Sequence, residues 1–243
     1  MAKTSANIAA LWDEIGALTE AGELRRLSNA FARFIASLGS APPPLVLAAA
    51  VLSELEGHGH SCIQLADLAD PGAGLAPLLG WSDEQWRALA ALAAPLPKGV
   101  KGWQTLLAGC EQVWDRESFD YDQPLVLDGE RLYLRRYWRD ETQVARAVRE
   151  RAEAALPVDV AAVRGWLDTL FPPQADMQAP DWQKLACAIA LRGAVAIITG
   201  GPGTGKTYTV ARLLALLFAT APEASRQRVA LAAPTGKAAA RLK

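Results

Sequence analysis

The chain has 243 residues, 51% of them hydrophobic, and a formal net charge of -1; it can bury a sizeable core in one large or two modest domains, and it has no bulk basic field, so any nucleic-acid binding must use a local groove. Three cysteines, Cys62, Cys110 and Cys187, are too few and too scattered for a disulfide framework or a four-ligand zinc site and suit a reducing cytoplasm. The longest apolar stretch, Leu45 to Leu52, is too short to cross a bilayer, and the N-terminus leads into no signal-peptide core, so a soluble protein with no membrane partner is expected.

The first 115 residues read as helical. Ile8, Leu11, Trp12, Ile15 and Leu18 recur at helical spacing, as do Leu24, Leu27, Phe31, Phe34, Ile35 and Leu38. Pro42-Pro43-Pro44 interrupts the pattern, and Leu45 to Leu55 resumes it. Gly57-His58-Gly59-His60 reads as a turn, followed by a short helix over 63–68. His58, His60 and Cys62 lack an evident fourth metal ligand, so a packed loop is the plainer reading. Ser82 and Gln85 form a capping-box pattern at the next helix start.

The texture changes after residue 115. Residues 124–134 alternate apolar and polar side chains around Asp128-Gly129, which predicts a hairpin. Asp140, with Gln143 three residues on, is expected to cap a charged helix reaching about Leu156, and a further helix runs from Asp159 to Phe171. Trp103, Trp114, Trp138 and Trp166 could stack on bases, but such residues more often fill cores or subunit interfaces. The arginines at 131, 135, 136 and 139 suit either DNA phosphate or an acidic partner surface.

A proline-bounded linker over 172–180 sets a boundary, giving expected domains at 1–115, 116–175 and 176–243. After it the pattern is a helix from Asp181 to Arg192, a buried strand over 194–199, a glycine loop, a helix from Gly205 to about Thr220, a second strand over 228–233 and a final helix opening at Pro234-Thr235-Gly236. The loop, Gly200-Gly201-Pro202-Gly203-Thr204-Gly205-Lys206-Thr207, matches G-x-x-x-x-G-K-[ST] in full. A strand turning sharply into a helix aims several backbone N–H groups at one point, and glycines let phosphate oxygens approach them. Lys206 can reach the β- and γ-phosphates, Thr207 is placed to ligate Mg²⁺, and the N–H of Tyr208 should face phosphate. A nucleoside triphosphate with Mg²⁺ is the expected ligand pair, with Lys206 and Thr207 in the catalytic roles.

Gln183 lies on the helix before the first strand, and its amide could pair with the N6/N7 edge of adenine. By chemistry alone a solvated helical glutamine explains it equally well. Pro234, Thr235, Gly236 and Lys237, with Arg241 one turn on, could hold a nucleic-acid backbone at a strand tip. A capped surface helix with two solvated bases is the simpler chemical account.

Taken together and in this order, Asp181-Trp182-Gln183-Lys184, the loop over 200–207 and Ala233-Pro234-Thr235-Gly236-Lys237-Ala238-Ala239-Ala240-Arg241-Leu242 resemble superfamily 1 DNA helicases. More narrowly they resemble the RecD family, the α subunit of exodeoxyribonuclease V (RecBCD). Gly59-His60-Ser61-Cys62 and residues 131–138 look like that family's N-terminal region. The resemblance implies an α/β chain overall: a mostly helical, partner-binding N-terminal domain with a hairpin, then the start of a RecA-like parallel-sheet motor domain. It makes 200–207 the ATP and Mg²⁺ motif, Gln183 the adenine reader and Thr235 with its neighbours a contact to single-stranded DNA. It implies ATP-driven 5′-to-3′ movement on DNA during double-strand break repair, with RecB-like and RecC-like partners and docking on the latter. An Asp-Glu pair ending a later strand, an arginine finger and a second motor domain are not found, so the chain is expected to be an N-terminal fragment of a longer protein. The alternative is a partner-docking module that binds nucleotide without turnover.

Overall fold

The computed structural model describes residues 2–70, 74–172, 180–223 and 226–233, with side chains from residue 8 onward. The chain divides into two units, 1–143 and 144–243. Among the described residues it is mostly helical, with one four-stranded sheet. No helix among them is long and apolar enough to cross a membrane.

The first unit is built around the helix that follows the proline run. After α1 (Ala2–Glu20) and α2 (Arg26–Ser37), α3 spans Pro43–Gly57, and every residue from Pro43 to Leu55 is buried. Prolines suit the first helical turn, whose N–H groups have no partner inside the helix. A helix apolar on every side must be enclosed, and α3 packs against α1, α2 and elements from later in the chain. The stretch Leu45 to Leu52 is thus the centre of a buried core.

Around it stand β1 (Cys62–Gln64), α4 (Leu65–Ala69), α5 (Leu75–Leu79), α6 (Asp83–Leu92), α7 (Gly99–Ala108), β2 (Val113–Asp115), β3 (Leu125–Asp128) and β4 (Arg131–Leu134). The expected capping box is present at α6, where Ser82 Oγ accepts from the Gln85 N–H and Gln85 Oε1 from the Ser82 N–H. The sheet order is β1-β4-β3-β2, with β2 parallel to β3 and the other pairs antiparallel. Asp128 pairs with Arg131, so the hairpin turn is centred on Gly129 and Glu130, with Gly129 at φ 60°. Leu125, Leu127 and Leu132 face the main core. Trp86 and Trp103 are fully buried in it, which assigns Trp103 to packing. Burial pushes the Cys110 thiol up to about 11, so it is an unreactive core group.

Three sequence expectations need correction. Ile63 lies in β1 and not in a helix; it pairs with Leu132, and α4 begins only at Leu65. Asp140 is not an N-cap, because α8 starts at Arg135, directly after β4, and runs to Glu153. That early start places Arg135 beside Asp120 and Tyr137 beside Glu56, contacts distant in sequence. The segments 194–199 and 228–233 carry no strand ladder among the described residues. A parallel strand is stabilised by burial on both faces, and neither segment has a buried residue; Ile197 is 81% exposed.

Glu56, near the end of α3, gathers three partners. The Tyr137 hydroxyl donates to it at 2.5 Å, Arg136 at 3.1 Å and Arg25 at 3.2 Å. The Tyr137 bond, with help from Arg25 and Arg136, outweighs burial and holds this carboxyl below its ordinary 4.5. A carboxyl depressed in the folded state adds stability above its unfolded pKa, and that stability disappears as pH falls through the folded value. Glu56→Gln therefore melts below the wild type at neutral pH, and the gap narrows as the solution is acidified below 4.5. A gap independent of pH in thermal melts would contradict this account.

The second unit contains α9 (Val160–Leu170), α10 (Trp182–Ala190) and α11 (Lys206–Thr220). Asp159 and Asp181 are N-caps: each carboxylate accepts two first-turn N–H groups, at 3.0 and 3.1 Å. The small core joins Val163, Leu167 and Phe171 to Cys187, Leu191 and Leu216.

Candidate functional site

The glycine loop leads into α11 through Gly205, which is the N-cap at φ 77° and offers no side-chain hydrogen bond to the helix. The first helical bond runs from the Thr209 N–H to Gly205 O at 2.9 Å, so the amides of Lys206, Thr207 and Tyr208 have no partner within α11. Helix N-termini carry positive partial charge, and a cationic side chain lies here as well. Lys206 Nζ donates to Gly200 O at 2.5 Å and Gly201 O at 2.6 Å, folding its charge over the loop. Thr204 Oγ1 also donates to Gly201 O, at 2.9 Å. Lys206 and Thr207 are both exposed. This arrangement can hold a multiply charged anion on main-chain amides and one ammonium group.

Gln183 meets the same loop. Its side-chain amide donates to Thr204 O at 3.2 Å, and Asp181 holds the Gln183 main chain at the start of α10. A Cβ at Gly205 would stand 2.6 Å from Gln183 Nε2, and its backbone lies in the left-handed region. Gly205→Ala therefore combines strain of about 1–2 kcal/mol with displacement of Gln183. The expected result is a lower melting temperature with faster amide exchange at 206–209, and wild-type exchange there would refute it.

Behind the loop, Thr209 is buried and its hydroxyl donates to Gly205 O at 3.1 Å, while Cys187 Sγ lies 3.6 Å from Thr209 O. Tyr208 is 49% exposed, with the Arg212 guanidinium 3.2 Å from its ring centroid. Arg212 also donates to Leu170 O at 2.6 Å and lies over Phe171, which ties α11 to the end of α9. Sequence reading did not find the tie from Arg212 to α9, because Leu170 and Phe171 are some forty residues away. Tyr208 carried the one local signal, as the side chain next to the loop hydroxyl.

The structure thus brings together Gln183, Gly200, Gly201, Thr204, Gly205 and Lys206. Pro234, Thr235, Gly236 and Lys237 lie outside the described residues. Two of the arginines suggested for DNA or a partner are engaged within the first unit: Arg135 pairs with Asp120 at 2.7 Å, and Arg136 with Glu56 at 3.1 Å. Trp114 and Trp138 pack edge to face 5.0 Å apart, whereas Trp166 is 43% exposed.

Comparison with known proteins gives two family matches. Residues 20–133 match the family described as RecBCD enzyme subunit RecD, N-terminal domain, and residues 183–243 match an AAA domain. The chain is 47% identical to the RecBCD enzyme subunit RecD of Mycobacterium tuberculosis over 125 residues, which is 50% of the chain and 20% of that protein. It is 39% identical to the same subunit of Mycolicibacterium smegmatis over 193 residues, 76% of the chain and 28% of the relative. Against the Haemophilus influenzae subunit the identity is 34% over 145 residues, 59% of the chain and 22% of the relative. The chain therefore spans about a fifth to somewhat over a quarter of the length of the relatives it matches.

Proposed function

We propose, on the premise that residues 20–133 belong to the family of RecD N-terminal domains, that this chain is part of the ATP-driven motor subunit of a helicase-nuclease. The observation that carries the reading is the convergence of Gln183, Thr204, Gly205 and Lys206 at the N-terminus of α11, inside the segment that matches an AAA domain. A nucleoside triphosphate fits these residues. Three helix amides are free for phosphate oxygens, an ammonium group lies within reach, and the cradle excludes a side chain at 205.

In this reading Gly200, Gly201, Pro202, Gly203, Thr204, Gly205, Lys206, Thr207 and Tyr208 enclose the phosphates, mostly through their main chain. Lys206 leaves the carbonyls of Gly200 and Gly201 to neutralise phosphate charge. Thr207 would ligate Mg²⁺, which would supply neutralisation of phosphate charge. Gln183, already attached to the loop through Thr204 O, reads the adenine edge. Pro234, Thr235, Gly236 and Lys237 contact single-stranded DNA. The complete subunit moves 5′ to 3′ on DNA with RecB-like and RecC-like partners, in the cytoplasm, during recombinational repair of double-strand breaks. Domains divide as 1–115 for partner docking, 116–175 as a connecting region and 176–243 as the start of the RecA-like motor. The test is Lys206→Ala in the complete subunit assembled with its partners, where normal ATP-dependent unwinding would sink the reading.

A further inference from the structure

The loop between β2 and β3 carries the most exposed aromatic pair among the described residues. Phe119 is 71% exposed and Tyr121 75%, yet their rings pack together with centroids 4.7 Å apart. Their mutual packing leaves most of both rings in water, apolar surface of the kind that association buries.

The loop around them is fixed by several polar contacts. Arg135 donates two hydrogen bonds to Asp120, at 2.7 and 2.9 Å, and one to Gln123 O, while its guanidinium lies over the Trp114 ring. Asp120 Oδ1 also accepts the Asp122 N–H at 2.9 Å, and Gln123 Oε1 accepts the Tyr121 N–H at 2.9 Å. Trp114 Nε1 donates to Ser118 O at 3.2 Å. Asp122 takes a left-handed conformation, φ 61°, which aspartate tolerates better than most residues. Two aromatic side chains are therefore presented on a pre-ordered loop, an arrangement that lowers the ordering cost of association.

Charge selects the occupant. Residues 115–122 include Asp115, Glu117, Asp120 and Asp122. The nearest guanidinium groups are already committed, Arg116 to Asp128 at 2.8 Å and Arg135 to Asp120. Asp122, almost wholly exposed, lies 3.8 Å from the same Arg135, so one guanidinium serves two carboxylates and the loop keeps an acidic excess. Base-stacking platforms work inside a basic groove, and this acidic surround repels phosphate. Aromatic anchors in protein interfaces insert into desolvated slots with a charged rim.

We propose that Phe119 and Tyr121 form a docking anchor for a protein partner that offers an apolar slot rimmed by lysine or arginine. The inference deepens the reading of this chain as part of a multi-subunit enzyme and rests on it.

The experiment assembles the complete subunit with its RecC-like and RecB-like partners from the same organism and titrates binding. The double variant Phe119→Ala, Tyr121→Ala is expected to bind at least about tenfold more weakly, with an unchanged melting temperature because both side chains are exposed. Glu117→Lys with Asp122→Asn, which keeps a residue suited to the left-handed backbone, weakens binding too, through slower association and a smaller salt dependence. Assembly of the wild type and the double variant with equal affinity would overturn the docking anchor and leave the subunit reading standing. Failure of the wild type to assemble with either partner overturns the subunit reading, and the anchor with it. Loss of affinity for an oligothymidine strand in the double variant, with partner binding intact, would assign the rings to nucleic acid and refute the proposal.

Discussion

On the proposed reading, Lys206→Ala in the complete, assembled subunit is expected to lower the rate of ATP-dependent unwinding by about a hundredfold to a thousandfold. That is the usual loss when one preorganised charge or donor is removed from a site where negative charge develops. The variant folds normally, because Lys206 is exposed and the first turn of α11 is closed by Thr209 and Gly205, not by the lysine. In the structure the lysine's partners are the carbonyls of Gly200 and Gly201, which water can satisfy in its place. The loss therefore falls on the phosphate-bound state. Lys206→Arg does not restore the rate, since a planar fork does not reproduce a compact ammonium charge. ATP hydrolysis and strand separation are measured together with a thermal melt. Unwinding at the wild-type rate in Lys206→Ala would remove the loop from the mechanism.

What could be read from the sequence depended on how far each feature's partners lie along the chain. The glycine loop, the start of α11 at Gly205 and the capping box of Ser82 with Gln85 each involve residues within a few positions of one another, and the sequence pattern locates them. The hairpin of β3 and β4 was legible for the same reason, although pairing of Asp128 with Arg131 shifts its turn by one residue. Strand β1 was hidden because three residues are too few for a period, and Ile63 joins an apolar spacing that reads as helix. Its extended form comes from pairing with β4, which begins nearly seventy residues later. Asp140 was misplaced by a locally correct capping pattern, overridden when β4 ran straight into α8. At the candidate site, Gln183 was marked by its position before the loop. The contact of Arg212 with Leu170 and Phe171 had no local pattern to reveal it, although Tyr208 lies one helical turn before Arg212.

Removing the carboxylate of Glu54 should cost the first unit about 2–3 kcal/mol, a large share of the stability of a typical domain. Glu54 is buried on α3, next to the buried Ser53, and its closest partners are at the start of α2. One oxygen accepts the Arg25 N–H at 3.0 Å and the Ser28 hydroxyl at 2.7 Å. The other lies 3.7 Å from His58. Arg25 is the N-cap of α2 and has no side-chain cap of its own, while Ser28 is the third residue of that helix. In a capping box a glutamate at that third position accepts the N-cap N–H; here a glutamate from a different helix does so and also meets the positive end of α2. The contact therefore fixes the register of α2 on α3, which an all-apolar face would leave loosely specified. Glu54→Ala strands the Ser28 hydroxyl, which is fully buried, and leaves the Arg25 guanidinium with Glu56 as its remaining carboxylate. The estimate falls below the usual cost of about 3–5 kcal/mol for a broken buried pair because the Arg25 side chain is 35% exposed. Ser28→Ala alone removes a donor and leaves the carboxylate with its other partners, for a smaller loss of about 1 kcal/mol. Adding Ser28→Ala to Glu54→Ala should then cost little more, since no acceptor remains to be missed. Urea unfolding of the three variants measures the coupling. Strict additivity, or a Glu54→Ala midpoint equal to that of the wild type, would show that α2 is held by apolar contact alone.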